Sequence, residues 1–234
     1  MNITKFIEFL DIFEYKVSTD GSDKKIILPS DIQKINVGII KKSCYLESVI
    51  IPEGVTIIGR SAFYSCLALK KVMISSSVTI IGDDAFYNCY LLTSITIPNG
   101  VKKIGWHAFT NCKSLESITI PSGVERIGWG TFSGCESLTS VTIPDTVTSI
   151  GEGAFSSCTS LTSVTIPSSV TSIGYWAFGN CTSLTSVTIP NSVTSIGVNA
   201  FTGCSPNLVI HGESGSYAEE YANENNIKFK GSVK

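Results

Sequence analysis

Apolar and polar positions along this chain recur with a period of 23 residues. Leu46, Leu69, Leu92, Leu115, Leu138, Leu161 and Leu184 keep that step without an insertion. So do Phe63, Phe86, Phe109, Phe132, Phe155, Phe178 and Phe201. Gly59 through Gly197, Val55 through Val193 and Ile58 through Ile196 repeat in the same way, and Pro52 recurs in every unit but one, where Ser75 stands. A repeat of this length is the signature of a solenoid, in which each unit is one coil. The unit from Leu138 to Cys158 shows the elements. Ser140 to Ile143 alternates polar and apolar, which predicts a strand facing a core on one side. Pro144 ends it, because proline cannot donate to a ladder. Val147 to Ile150 alternates again and predicts a second, shorter strand. Gly151 marks a turn, and Ala154-Phe155 opens a compact turn of 3₁₀ character. One coil cannot bury its Leu, Val, Ile, Ala, Phe and Cys alone, but stacked coils can. Seven coils at ~4.8 Å each predict a rod of roughly 35 Å.

The pattern Leu-x-x-(Ile/Val)-x-Ile-Pro-x-x-Val-x-x-Ile-Gly-x-x-Ala-Phe-x-x-Cys, read from Leu92 to Cys112 and its copies, resembles the BspA-like leucine-rich repeat family. The resemblance is strong over 46–204 and weak at the flanks. It implies an α/β leucine-rich-repeat solenoid, predominantly β, right-handed and curved. It also implies a surface protein used for adhesion and protein binding, with no catalytic residues to carry over. Surface proteins of this kind generally have an export signal. Met1 to Leu10 holds Lys5 and Glu8, with Asp11 next, unlike the basic start and unbroken apolar stretch of a signal. Cell-surface or secreted localisation is therefore implied by resemblance and not read from the chain.

The ends depart from the repeat. Ile26, Leu28, Pro29, Ile32 and Ile35 keep the register, while Ile40 stands where Phe is due and Cys44 comes one place late. This predicts a degenerate coil before the seven regular ones. Ile3, Phe6, Ile7 and Leu10 have helical spacing, and Phe13 to Val17 with Lys25 to Leu28 flank a hairpin signal. Residues 1–45 are expected to form an N-terminal cap, 46–204 the repeats and 205–234 a C-terminal cap, as one continuous domain. In the last, Leu208 to Ile210 predicts a strand, Ala218 to Asn225 a helix with a capping box at Ser216 and Glu219, and Ile227 to Phe229 a closing strand.

Composition narrows the function. Apolar residues make up 43% and charged ones 15%, and the net charge is −2. No Lys or Arg lies between Arg126 and Lys228, so half the chain has no cation for a phosphate, which argues against nucleic acid. No apolar run approaches the ~20 residues of a membrane span. Cys66, Cys89, Cys112, Cys135, Cys158, Cys181 and Cys204 are one repeat position. A ladder at ~4.8 Å is too wide for the ~3.8 Å Cβ separation of a disulfide and diverges from a zinc tetrahedron. Free buried thiols are expected, with no metal and no cofactor. His107 and His211 have no partner at a defensible spacing and are expected at coil edges. No catalytic motif is present.

The candidate binding residues are the positions that the core does not use. Thr96, Thr119, Thr142, Thr165 and Thr188 should face out beside Ser94 and its copies, as a regular hydroxyl array. Lys71 and Met73 break that array in the early coils. After the repeat glycine come Trp106, Trp129 and Tyr175, with Trp176 beside them. Trp106 and Trp129 should be neighbours one coil apart. Extra aromatics at variable positions are typical binding anchors, although packing between adjacent turns would also account for them. The expectation is a monomeric, non-catalytic binding or adhesion module for a protein or glycan. A structural spacer with no ligand is the alternative, and an ice-binding solenoid a remote one. Clustering of the exceptions in the first half favours binding.

Overall fold

The structure, a computed structural model, describes residues 25–36, 38 and 40–232. The expected N-terminal helix, and the hairpin arm from Phe13 to Val17, lie outside these residues. Two rows of parallel strands run up the stack. The longer strands are Lys25–Ile27, Ser48–Ile51, Lys71–Ile74, Ser94–Ile95, Ser117–Thr119, Ser140–Thr142, Ser163–Thr165, Ser186–Thr188 and Val209–Glu213. The shorter ones begin at Lys34–Ile35 and continue through Ile57–Ile58 to Ser195–Ile196. Where strands of successive coils pair they hold the sequence period, with Ile26 opposite Val49, Val141 opposite Ile118 and Ile173 opposite Ile196. The result is a predominantly β parallel solenoid of about nine turns with little helix.

The degenerate coil keeps its place in the stack over its described residues. Ile26, Ile35 and Ile40 are completely buried, and Ile40 occupies the Phe position. Cys44 has left the ladder and is exposed. Through the middle of the stack runs a column of phenylalanines, Phe63 to Phe201, with successive ring centroids 5.2–5.5 Å apart and planes within 12°. Helix α1 (Tyr217–Glu224) closes the column: Tyr221 meets Phe201 edge-on at 5.9 Å. The strand Lys228–Ser232 then adds beside Val209–Glu213. The expected capping box forms only in part. Glu219 folds back but accepts from the Gly215 N–H at 2.6 Å, and the buried Ser216 Oγ makes no cap bond.

The repeat glycines allow the coils to approach. A Cβ on Gly174 would stand 2.6 Å from both the Gly151 carbonyl carbon and the Glu152 nitrogen of the preceding coil. This is a close-approach requirement that no other residue meets. The compact turn is not the expected 3₁₀ piece. In a 3₁₀ helix every N–H bonds three residues back. Here the Ala154, Ser156 and Cys158 amides do so, while Gly153, Phe155 and Ser157 donate to Tyr175, Ala177 and Gly179 of the next coil. The peptides alternate because two positions per turn are left-handed. One is Ser61, Asp84, His107, Gly130, Gly153, Trp176 and Asn199, with φ between 53° and 60°.

Candidate functional site

Hydroxyls divide into two populations. Thr56, Thr79, Thr148, Thr171 and Thr194 each donate through Oγ1 to a carbonyl 23 residues earlier, and so tie each coil to the one before. Thr96, Thr119, Thr142, Thr165 and Thr188 are exposed as expected. Among the described residues none of these five makes such a bond. Met73, in the same register, is 50% exposed, and Lys71 is exposed in the neighbouring register of Ser94. The array is less regular than the sequence implies. Thr96 falls just outside its strand, and the long-strand row is hydrogen-bonded in three separate segments, broken after Ser94–Ile95 and after Ser140–Thr142. Nothing in the side chains accounts for the two breaks.

The aromatic edge lies on another side of the coil, and no residue of the threonine row lines a recess there. Trp106, Trp129 and Tyr175 are 60%, 50% and 47% exposed, and Trp176 is half-buried. Trp106 and Trp129 stand at one register of adjacent coils, and each ring packs on a different bed. Trp106 leans over Gly128, where a Cβ would come within 2.6 Å of its Cδ1. It borders a recess of about 390 Å³ with Asp83, Lys103 and Arg126. Trp129 packs edge-on against His107, with centroids 4.6 Å apart. His107 also reaches Thr110 Oγ1 at 3.2 Å and the Tyr87 ring at 6.5 Å. Tyr87 stacks on Tyr64 at 4.9 Å. An aromatic string thus runs Tyr64, Tyr87, His107, Trp129 across four coils.

The string stops for one coil, at Glu152 and Gly153, and aromatics resume at Tyr175 and Trp176, whose centroids are 6.1 Å apart. A second recess of about 290 Å³ occupies the gap. Sequence reasoning left His107 as an edge residue and passed over Tyr64 and Tyr87. The signal was present: His107 and Trp176 are the bulky members of a register otherwise held by Ser, Asp, Gly and Asn, the residues that tolerate φ > 0.

The thiols are free among the described residues. Each ladder Sγ, from Cys66 to Cys204, donates at 3.1–3.3 Å to the carbonyl 26 residues earlier, which belongs to the Phe position of the preceding coil. Burial pushes Cys66 and Cys135 up to about 12 and raises Cys89, Cys112 and Cys158 well above the ordinary thiol value. Such sulfurs stay protonated and act as small apolar residues with a weak donor. Among the described residues no group of three or more His, Cys, Asp or Glu is placed to hold a metal, and no helix is long and apolar enough to cross a membrane.

Comparison with known families decides what this stack is. The profile described as BspA type leucine rich repeat region matches residues 12–138 and 103–230, with 6 copies. The chain belongs to the BspA type leucine-rich repeat family. The leucine-rich repeat protein of T. pallidum (TpLRR) is 28% identical in a superposition with TM-score 0.67 that covers 94% of this chain and 97% of that one. A leucine rich cell surface protein of Faecalibacterium prausnitzii is also 28% identical, over 76% of this chain and 62% of its own, with TM-score 0.42. A leucine-rich repeat protein of Bacteroides ovatus is 22% identical, over 93% and 98%, with TM-score 0.41. No protein with a curated description matches. The BspA type family points to a binding or adhesion repeat module, and its members are repeat proteins rather than enzymes.

Proposed function

We propose that the protein is a non-catalytic recognition module that engages a protein or glycan along its aromatic turn edge. The supporting observation is the exposure of Trp106, Trp129 and Tyr175 at one repeat position that faces away from the core. The core already has its aromatic in the buried Phe column, so these rings are not needed to fill it. Large exposed aromatics give contact area at low entropic cost and dominate interface energetics. Charged residues are sparse beyond Arg126, so at Trp129 and Tyr175 the contact rests on ring faces and hydroxyls, while Trp106 stands beside Asp83, Lys103 and Arg126.

The strand face is the weaker candidate. Its threonines are typical of a solvated strand surface, and its breaks in pairing argue against the flat, unbroken lattice that ice binding would need. An array of glycans and matrix proteins, probed with the wild-type chain and two variants, tests the assignment. The Trp106→Ala/Trp129→Ala/Tyr175→Ala variant should lose the wild-type signal while keeping its fold. Thr119→Ala/Thr142→Ala should keep it. A wild-type chain that binds nothing above background would leave the spacer reading in its place.

A further inference from the structure

The interruption in the aromatic string is a feature that neither the repeat nor the core explains. We propose that the gap over Gly153, between Trp129 with His107 on one side and Tyr175 with Trp176 on the other, is a subsite for one neutral sugar ring. The proposal rests on the turn-edge reading above and names the ligand class of that edge.

The geometry comes from one register. His107, Gly130, Gly153 and Trp176 follow one another on successive coils, all left-handed. The imidazole of His107 lies over Gly130, since a Cβ there would collide with its Nδ1. Above Gly153 the space is open, with only Ser156 Cβ near, at 3.9 Å. The coil holding Gly153 lies between the coils of Trp129 and Tyr175, and the column of phenylalanines sets each coil step at about 5.3 Å. The two aromatic walls therefore stand roughly two strand spacings, or ~10 Å, apart. That is room for one flat ring with a wall on each side. The volume of about 290 Å³ falls just below the ~300–1,000 Å³ of drug-sized small-molecule sites, which suits a single small ring.

The walls and rim select the chemistry. A pyranose presents C–H faces that pack on aromatic faces and hydroxyls that need donors and acceptors around its edge. Trp129, Tyr175 and Trp176 supply the first. Glu152 and Ser133 supply the second from the lining, and Ser156 Oγ, which donates to the Gly179 carbonyl at 3.2 Å, can still accept. Glu152 is the one charged side chain of that lining, and no Lys or Arg contributes to it. An anionic sugar or a phosphate would meet a carboxylate with no cation beside it.

Trp176 adds an independent argument. It holds φ at 54°, where a bulky residue is disfavoured, and its indole N–H is buried with no partner among the described residues. Each of these costs stability, and the same register takes Asn at 199 and Gly at 153 without them. A residue kept at a double cost, on the wall of a recess, is placed for something other than folding.

Saturation-transfer NMR on the full chain, with glucose, galactose, N-acetylglucosamine and their methyl glycosides as probes, tests the subsite. At least one should bind with Kd roughly 1–10 mM, as one small ring with few contacts allows. Gly153→Asn should weaken binding at least tenfold, because it fills the gap with a side chain that the same register accepts at Asn199. Tyr175→Ala should do the same, and Thr119→Ala, on the strand face, should not. Circular dichroism of all three should remain that of the wild type. Silence of every neutral sugar would overturn the proposal. So would equal binding by Gly153→Asn, or tighter binding of tetramethylammonium than of any sugar. Partner capture on the array is measured separately, so silent sugars with retained capture would remove the sugar assignment alone.

Discussion

Phe155→Ala tests the column on which the whole stack depends. Phe155 is fully buried between Phe132 at 5.4 Å and Phe178 at 5.3 Å. Truncation removes roughly 100 Å² of buried apolar surface, about 2.5 kcal/mol at ~25 cal/mol per Å². It also removes two ring–ring contacts, at ~0.5–1.5 kcal/mol each. The sum, about 3.5–5.5 kcal/mol, agrees with the ~3–5 kcal/mol measured for buried aromatics elsewhere. The position adds a second effect. In a one-dimensional stack each coil is stabilised by its two neighbours, so a defect in the middle weakens the coupling of the two halves. Equilibrium urea unfolding followed by circular dichroism reads both. The midpoint should fall, and the apparent m-value should drop as the halves begin to melt separately. Phe63→Ala is the control. Phe63 has an aromatic neighbour on one side only, Phe86 at 5.2 Å, with Ile40 in the Phe position on the other. It should lose one ring contact fewer and leave the m-value closer to wild type. A change within about 0.5 kcal/mol for Phe155→Ala would refute the reasoning, since no buried aromatic in a dense column is that cheap to remove.

The thiol ladder predicts both reactivity and a pH dependence. Alkylation of the native protein should modify the exposed Cys44 first and the partly exposed Cys204 next, with the rest reacting only on unfolding; rapid labelling of Cys112 or Cys158 would contradict the inward assignment. The ordinary thiol value is 9.0, and Cys66 and Cys135 sit at about 12 in the fold. The unfolded chain therefore binds fewer protons between those values. Stability should be fully present below pH 9 and should fall as pH rises toward 12, by about 1.4 kcal/mol per thiol per unit. Thermal melts of wild type and Cys135→Ala should show a shallower alkaline decline in the variant. The repeat glycines divide by what faces them. Gly174→Ala meets preceding backbone at 2.6 Å and should cost ~1–3 kcal/mol or more, whereas Gly128→Ala meets the exposed Trp106 ring, which can turn away, and should cost less than ~1 kcal/mol. In a Trp106→Ala background the Gly128→Ala cost should shrink further, and equal melting temperatures for the two glycine variants would refute the distinction.

Periodic features were legible because they are set by one rule applied to every coil. The inward Leu, Val, Ile, Phe and Cys, the 23-residue register and the degenerate coil with Ile40 in the Phe position all follow from spacing and hydrophobicity. What the sequence hid depends on pairs of unlike neighbours. Trp106 and Trp129 share a register, yet one leans on Gly128 and the other on His107, because the adjacent coil offers a glycine in the first case and an imidazole in the second. The left-handed row was readable in principle from Asp84, Gly130, Gly153 and Asn199, but the mixed residue types at that position obscure the common φ. The capping box departs locally as well: the Glu219 carboxylate accepts from the N–H of Gly215, one residue before Ser216.

The ladder thiols and the row of threonines from Thr56 to Thr194 donate in one direction, from a later coil to a carbonyl of an earlier one, while Thr110 and the turn amides of Gly153, Phe155 and Ser157 donate the other way. The first set gives the stack a polarity that matches the order in which a ribosome delivers it. For its thiol and most of its bridging threonine bonds, each coil leaving the exit tunnel meets acceptors already made, whereas its turn amides wait for the coil that follows. The same polarity bears on how such a chain lengthens over generations. A duplicated unit inserted anywhere finds the same carbonyls below it and offers the same ones above, so growth by one coil demands no compensating change elsewhere. Only the terminal caps, and an interruption such as the one at Gly153, fix a position along an otherwise interchangeable series.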